Sequence, residues 1–186
     1  MRIISGKFKG KKLSLPIDKK TRPLRDLVKE SIFNLILHSN KFRVKIENSN
    51  VLDLFSGTGS FGIECISRGA NLVYFFENYP DALKIIKKNL SDLNSYQKYK
   101  IIEENCFNIS TSNDNLISKF DLIFIDPPYK ELRINDLIEK IIHNGFLKPK
   151  GIFIIHRHKK DTIAITKELE IVEERTYGLS KILIGI

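Results

Sequence analysis

Cysteine is scarce: Cys65 and Cys106 are the only two in 186 residues. Neither falls in a cluster with the four histidines, so no zinc spacing is present and no metal is expected. The two thiols read as reduced, small apolar residues of a cytoplasmic protein rather than as a disulfide framework. Long apolar runs are missing as well. None approaches the ~20 residues that cross a bilayer, so no membrane role is expected. Met1-Arg2 leads into no apolar segment of the secretory kind, which argues against a signal peptide. Internal repeats and low-complexity tracts are also absent. What is left is a chain that is 42% hydrophobic, enough for a sizeable core, and of a length that suits one domain with at most a small appendage.

The net charge is +9, and its placement matters more than its size. Residues 1–25 hold nine bases (Arg2, Lys7, Lys9, Lys11, Lys12, Lys19, Lys20, Arg22 and Arg25) against Asp18 alone. Among the other residues, 22 bases and 21 acids nearly cancel. A surplus held at one end points to a polyanion such as RNA or DNA as partner, with a solvated basic arm as the plainer alternative.

Arg2 to Pro16 reads as a small hairpin with Gly and Lys at its centre, and Phe8 stands among the lysines. After Thr21-Arg22-Pro23, the residues Leu24, Leu27, Val28, Ile32, Leu35 and Ile36 recur at helical spacing to about His38. A polar stretch ending at Asn50 leads into the main unit. There, strands over 51–55, 71–77, 99–104, 120–126 and 151–158 alternate with helices over 60–68, 80–93 and 132–143. A short helix is expected over 161–168. Strands over 170–176 and 181–186 follow, and the Tyr177–Ser180 link between them is too short for a parallel crossover. The pattern predicts a mostly parallel seven-stranded sheet with helices on both faces and a C-terminal antiparallel hairpin. The division expected is residues 1–40 as a basic hairpin and helix, and 41–186 as the main domain.

Two stretches carry chemistry. Val51 to Gly62 is strand, glycine-rich turn and helix, with Gly57 and Gly59 free to take positive φ. A dinucleotide cofactor fits poorly, because Asp53 inside the strand would oppose a pyrophosphate. Asp53 suits a cationic, amine-bearing ligand, and Glu77 at the end of the next strand is placed for ribose hydroxyls. Asp53-x-Phe55-x-Gly57-x-Gly59 with Glu77 downstream fits S-adenosylmethionine. Asn105-Cys106 closes the third strand, where adenine would lie, although an asparagine turn explains Asn105 nearly as well. The second stretch is Asp126-Pro127-Pro128-Tyr129, after the apolar run from Phe120 to Ile125. Proline stops the strand, and a carboxylate, backbone carbonyls and an aromatic ring are left at its carboxyl end, where open α/β sheets bind ligands. That set can grip a flat ring bearing an amine.

Over almost its whole length the chain resembles the bacterial 16S rRNA guanine-N2 methyltransferase family. The likeness is carried by Met1-Arg2-Ile3-Ile4-Ser5-Gly6 and the basic run after it, and by Arg22-Pro23 with Asp26 and Lys29 to Asn34. It continues in Leu52 to Gly59, Gly62-Ile63-Glu64, Ser67 to Ala70 and Asp126 to Tyr129. Leu24 stands where that family usually has threonine, Asn78 where a second acid is common, and His156-Arg157-His158 where it tends to carry glutamate; these histidines receive no role. The resemblance implies a Rossmann-like class I methyltransferase fold and S-adenosylmethionine as cofactor. The implied partner is 16S rRNA or the assembling small ribosomal subunit, met by a monomer. Asp126 and the Pro127 carbonyl would hold the target amine and Tyr129 would stack on its base. Arg2, Lys7, Lys9, Lys11, Arg22, Pro23 and Arg25 would face RNA. An adenine-N6 DNA methyltransferase and a catalytically silent nucleic-acid-binding module are the competing readings. The first usually needs a further target-recognition region, and the second predicts damage at Asp53, Glu77 or Asp126, all of which are intact.

Overall fold

Alternating strand and helix run from Asn50 onward in the computed structural model, which describes residues 1–15, 23–93, 96–110, 119–162 and 164–186. The strands are β1 (Asn50–Leu54), β2 (Leu72–Phe76), β3 (Tyr99–Ile102), β4 (Phe120–Ile125), β5 (Leu147–His158), β6 (Ile171–Tyr177) and β7 (Ser180–Gly185). The helices are α1 (Asp26–His38), α2 (Ser60–Ser67), α3 (Pro80–Ser91) and α4 (Ile134–His143). All seven strands form one sheet in the order β3-β2-β1-β4-β5-β7-β6. β1 to β5 pair in parallel, while β7 pairs antiparallel with both β5 and β6. The expected seven strands and closing hairpin are therefore present. The order reverses at β1, flanked by β2 and β4, and such a switch point opens a crevice at the strands' carboxyl ends.

Side chains alternate between the faces with period two. Val51, Leu122, Phe124, Ile152 and Ile154 pack with α1, α2 and α3, and Leu52, Leu54, Ile123, Ile125, Phe153 and Ile155 pack with α4. By the same parity Asp53, Asp126 and His156 fall on the first face, and Arg157 on the second. Gly62 lets α2 approach the sheet closely: a Cβ there would stand 2.3 Å from Phe75 Cε1.

The N-terminal segment is docked, not free. An antiparallel bridge joins Arg2 to Lys12. Ile4 N and Ser5 N donate to the two carboxylate oxygens of Glu64, and Lys7 N donates to Ser67 O at 2.7 Å. Ile3 and Leu13 join the core that holds Val28, Ile32, Phe33 and Ile36 of α1. Lys29, on the same helix, is fully buried; its Nζ donates to Arg2 O and Ser60 Oγ and lies 3.7 Å from Glu64. Burial holds its pKa below the usual lysine value, against the pull of Glu64 and Asp26.

Three expectations differ from what is found. Leu27 is 69% exposed, because the buried stripe of α1 runs through Val28, Ile32, Phe33 and Ile36 instead. The described part of 161–168 is irregular, not helical. Its backbone groups are tied elsewhere: Lys181 Nζ donates to Asp161 O, Asn135 Nδ2 to Ala164 O, and Thr166 N to Asn135 Oδ1. β3 ends at Ile102, so Cys106 lies on a short 3₁₀ turn beyond it. Both cysteines are free and buried. Burial pushes the Cys106 thiol up to about 12, which keeps it an inert thiol.

Candidate active site

A cavity of about 410 Å³ opens at the switch point. The turn after β1 forms its floor. Phe55 takes a left-handed φ of 57° and Gly57 one of 54°, and Gly59, at 75°, sits at the N-terminal end of α2. A positive φ is strained for phenylalanine, at roughly 1–3 kcal/mol, and such strain concentrates at ligand sites. At Gly59 a Cβ would also meet Ile86 Cγ1 at 2.7 Å. Asp53 is buried beneath this turn and accepts from Gly62 N at 2.9 Å. Burial pushes its carboxyl well above the usual range; the Gly62 bond opposes this, and the nearby Asp126 and Glu77 add to it.

Glu77 follows β2. Its Oε2 accepts from Gly57 N at 2.7 Å, and its Oε1 from Asn78 N and Tyr79 N at 2.9 and 2.8 Å. A carboxylate offers about four lone-pair sites, so Oε2 keeps room for a hydroxyl donor.

The opposite wall is Asp126-Pro127-Pro128-Tyr129 at the end of β4, and Pro23 and Leu24 close the rim ahead of α1. The loop is gripped from both faces of the sheet. His156 Nδ1 lies 2.8 Å from Asp126 Oδ1. From the other face Arg157 donates to Tyr129 O and Glu131 O at 3.3 and 3.2 Å, contacts Pro128 O, and pairs with Asp161. The His158 ring meets Tyr129 edge-on at 5.0 Å. Pro127 O accepts nothing among the described residues.

One cavity thus gathers Asp53, Phe55, Gly57, Glu77, Asp126, Pro127, Tyr129 and Pro23. Gly59 stands behind it. Asn105 and Cys106 lie outside the lining: Asn105 Oδ1 accepts from Phe107 N in an asparagine turn, and Cys106 is buried among apolar neighbours. Arg2, Lys7, Lys9 and Arg25 are exposed outside the cavity, while Lys11 donates to Asp92 O. Arg22 lies outside the described residues. The His156-Arg157-His158 triplet is what sequence reasoning missed. A His-x-His on a strand suggests a wet edge, yet β7 covers this one, and His156 and Arg157 are each 3% exposed. The one available signal was the apolar run Ile152 to Ile155 leading directly into it.

Three acids and no Lys or Arg line the cavity among the described residues. Such a field repels a pyrophosphate and favours a cation. A ligand with an ammonium, a sulfonium and a ribose diol fits this donor set. No group of residues suited to a metal occurs among those described.

Fold and site together define a methyltransferase of the Rossmann-like class. The family described as Conserved hypothetical protein 95 matches residues 1–186, and the chain belongs to it. Bacillus subtilis "Putative rRNA methyltransferase YlbH" is 33% identical, covering 99% of this chain and 97% of that protein. Haemophilus influenzae "Ribosomal RNA small subunit methyltransferase D" is 30% identical over 96% of this chain and 90% of its own length. Among solved structures, "Putative methyltransferase yhhF" from Escherichia coli superposes with a TM-score of 0.80 at 23% identity, covering 100% of this chain and 96% of that one, an agreement of fold.

Proposed function

We propose that this protein methylates the exocyclic N2 amine of a guanine in 16S rRNA, with S-adenosylmethionine as donor. The observation that carries the reading is one cavity shared by the donor-side acids Asp53 and Glu77 and the acceptor-side Asp126, Pro127 and Tyr129. The relatives named as small-subunit rRNA methyltransferases support the choice of RNA.

Bound there, S-adenosylmethionine would supply an electrophilic methyl group on a sulfonium. Asp53 would hold its ammonium and Glu77 its ribose diol, and the strained Phe55-to-Gly59 turn would let backbone approach it. A guanine amine is a weak nucleophile, because its lone pair is delocalised into the ring. Asp126 and the Pro127 carbonyl accept its two N–H bonds, which bends the nitrogen toward a tetrahedral shape and frees the lone pair. Tyr129 stacks on the flipped base. Asp126 then steadies the positive charge that develops on the nitrogen until the methylated amine gives up its surplus proton to water, so positioning and local field supply most of the acceleration.

Residues 1–40 serve as the RNA-binding extension of the 41–186 methyltransferase domain. The exposed Arg2, Lys7, Lys9 and Arg25 grip phosphates, and Pro23 brings that extension to the rim of the cavity. Among the described residues no helix is long and apolar enough to cross a membrane. The test is to incubate the protein with labelled S-adenosylmethionine and unmodified 16S rRNA, small-subunit particles or DNA, then digest and identify the product. N2-methylguanosine is expected; N6-methyladenine in DNA, or no transfer at all, refutes the reading. Asp126→Ala is expected to abolish transfer while donor affinity stays within about tenfold, or ~1.4 kcal/mol. Equal loss of both would place Asp126 on the donor instead.

A further inference from the structure

We propose that His156 is the positioning residue of Asp126: it anchors one carboxylate oxygen and so aims the other at the substrate amine. The inference rests on the methyl-transfer reading for what Asp126 does, and on geometry for what His156 does. His156 lies on β5 one position beyond Ile155, which pairs with Ile125, so it stands beside Asp126 on the same face of the sheet. It is buried, with Nδ1 2.8 Å from Asp126 Oδ1.

A carboxylate can only accept, so the proton on this bond belongs to Nδ1. Nε2 is buried and has no hydrogen-bond partner among the described residues. A bare ring nitrogen tolerates that place, whereas an N–H there would be an orphaned donor. The surroundings therefore select the tautomer that donates to Asp126. Among the described residues the ring makes no ion pair other than that with Asp126. Its partner across β7 is Ile182, beyond which Arg175 on β6 is paired with Glu173, and Glu173 also takes Lys41. The same face of the core holds Ile154, Ile184, Val28 and Ile32.

The consequence for the site follows from counting acceptors. Asp126 ends a strand and precedes two prolines, so its backbone is set, but its side chain still turns about two bonds. With Oδ1 held by His156, Oδ2 remains for one amine N–H and the unpaired Pro127 carbonyl for the other. Arg157 donates to the carbonyl of Tyr129 and contacts that of Pro128, so these two carbonyls of the loop are already engaged.

Two measurements test this. With 15N-labelled histidine, nuclear magnetic resonance reads the tautomer of His156 in the wild-type protein. A protonated Nδ1 and bare Nε2 are expected, with Asp126→Ala shifting both; a proton on Nε2, or no response to Asp126→Ala, overturns the proposal. In the methyl-transfer assay, His156→Leu is expected to lower kcat about 100-fold, the scale of a small misplacement, with KM for RNA and the donor Kd within threefold. His156→Asn, whose amide N–H falls near the place of Nδ1, is expected to recover to within about tenfold of wild type. Equal loss in the two variants, or a loss of donor binding matching the loss of kcat, assigns His156 a merely structural role and overturns the proposal. If the wild-type enzyme transfers no methyl to guanine, the functional reading fails, and the tautomer measurement still decides whether His156 holds Asp126.

Discussion

Replacing Gly6 by alanine should pry the basic hairpin off α2. Gly6 takes φ +82°, and a Cβ there would lie 1.9 Å from the Ser67 carbonyl oxygen and 2.3 Å from its carbon. Those are backbone atoms at the end of a buried helix, so the hairpin must yield. Its bonds from Lys7 N to Ser67 O and from Ile4 N and Ser5 N to Glu64 would weaken together. Left-handed strain contributes roughly 1–2 kcal/mol and the clash about 1–3 more. At about 2–4 °C per kcal/mol for a domain this size, Tm should fall by roughly 4–20 °C. Gly10 is the matched control: its φ is +86°, but a Cβ there meets nothing within 4 Å, so Gly10→Ala carries the strain without the clash. Thermal denaturation gives the stability difference, and amide exchange at residues 3–13 shows whether the hairpin has lifted. RNA affinity should drop further in Gly6→Ala than in Gly10→Ala. If the two variants match in Tm and in exchange, the close approach to Ser67 is not what Gly6 is for, and the docked hairpin is refuted.

Asp53→Asn should stabilise the free protein at neutral pH while weakening donor binding. Burial raises the folded-state pKa of Asp53, so its contribution to stability is fully present below the unfolded value of about 3.9 and is lost as pH rises through the folded one. Asparagine keeps an acceptor for Gly62 N without that loss, so the Tm advantage of the variant should grow from pH 4 upward; a constant gap, or none, refutes the account. Removing one phosphate contact with Lys9→Ala should reduce the slope of log affinity for RNA against log salt by about 0.7–0.9, measured by fluorescence anisotropy. An unchanged slope would take Lys9 out of the interface.

The sheet was legible because its signals are local and repeated. Apolar β-branched runs such as Phe120 to Ile125 can be little else, and the four-residue link at Tyr177–Ser180 forces an antiparallel hairpin. Asp53, Glu77 and Asp126 were legible for a related reason, since each ends or interrupts such a run where an acid is out of place. The hidden parts are set by contacts distant in sequence. Nothing local to Lys29 announces its burial, which comes from Arg2, Ser60 and Glu64 closing around it. His156 reads as a wet strand end until β7 covers it and Asp126 meets it from β4. The absent helix over 161–168 is the same lesson in reverse, because Asn135 and Lys181 claim backbone groups that a local reading assigns to helix.

The three backbone N–H groups on Glu77 and the left-handed turn at Phe55 have a thermodynamic consequence. The cavity around Glu77, the proposed donor pocket, is shaped by the chain's own bonds, so its ordering cost would be borne once, at folding, and not at each encounter. Donor binding then spends little of its contact energy on organising protein, and discrimination between the methyl donor and its demethylated product falls to the electrostatics of the acids around it. On the proposed reading, loss of the donor's positive charge in a cavity lined by Asp53, Glu77 and Asp126 would weaken the hold on product and favour its release.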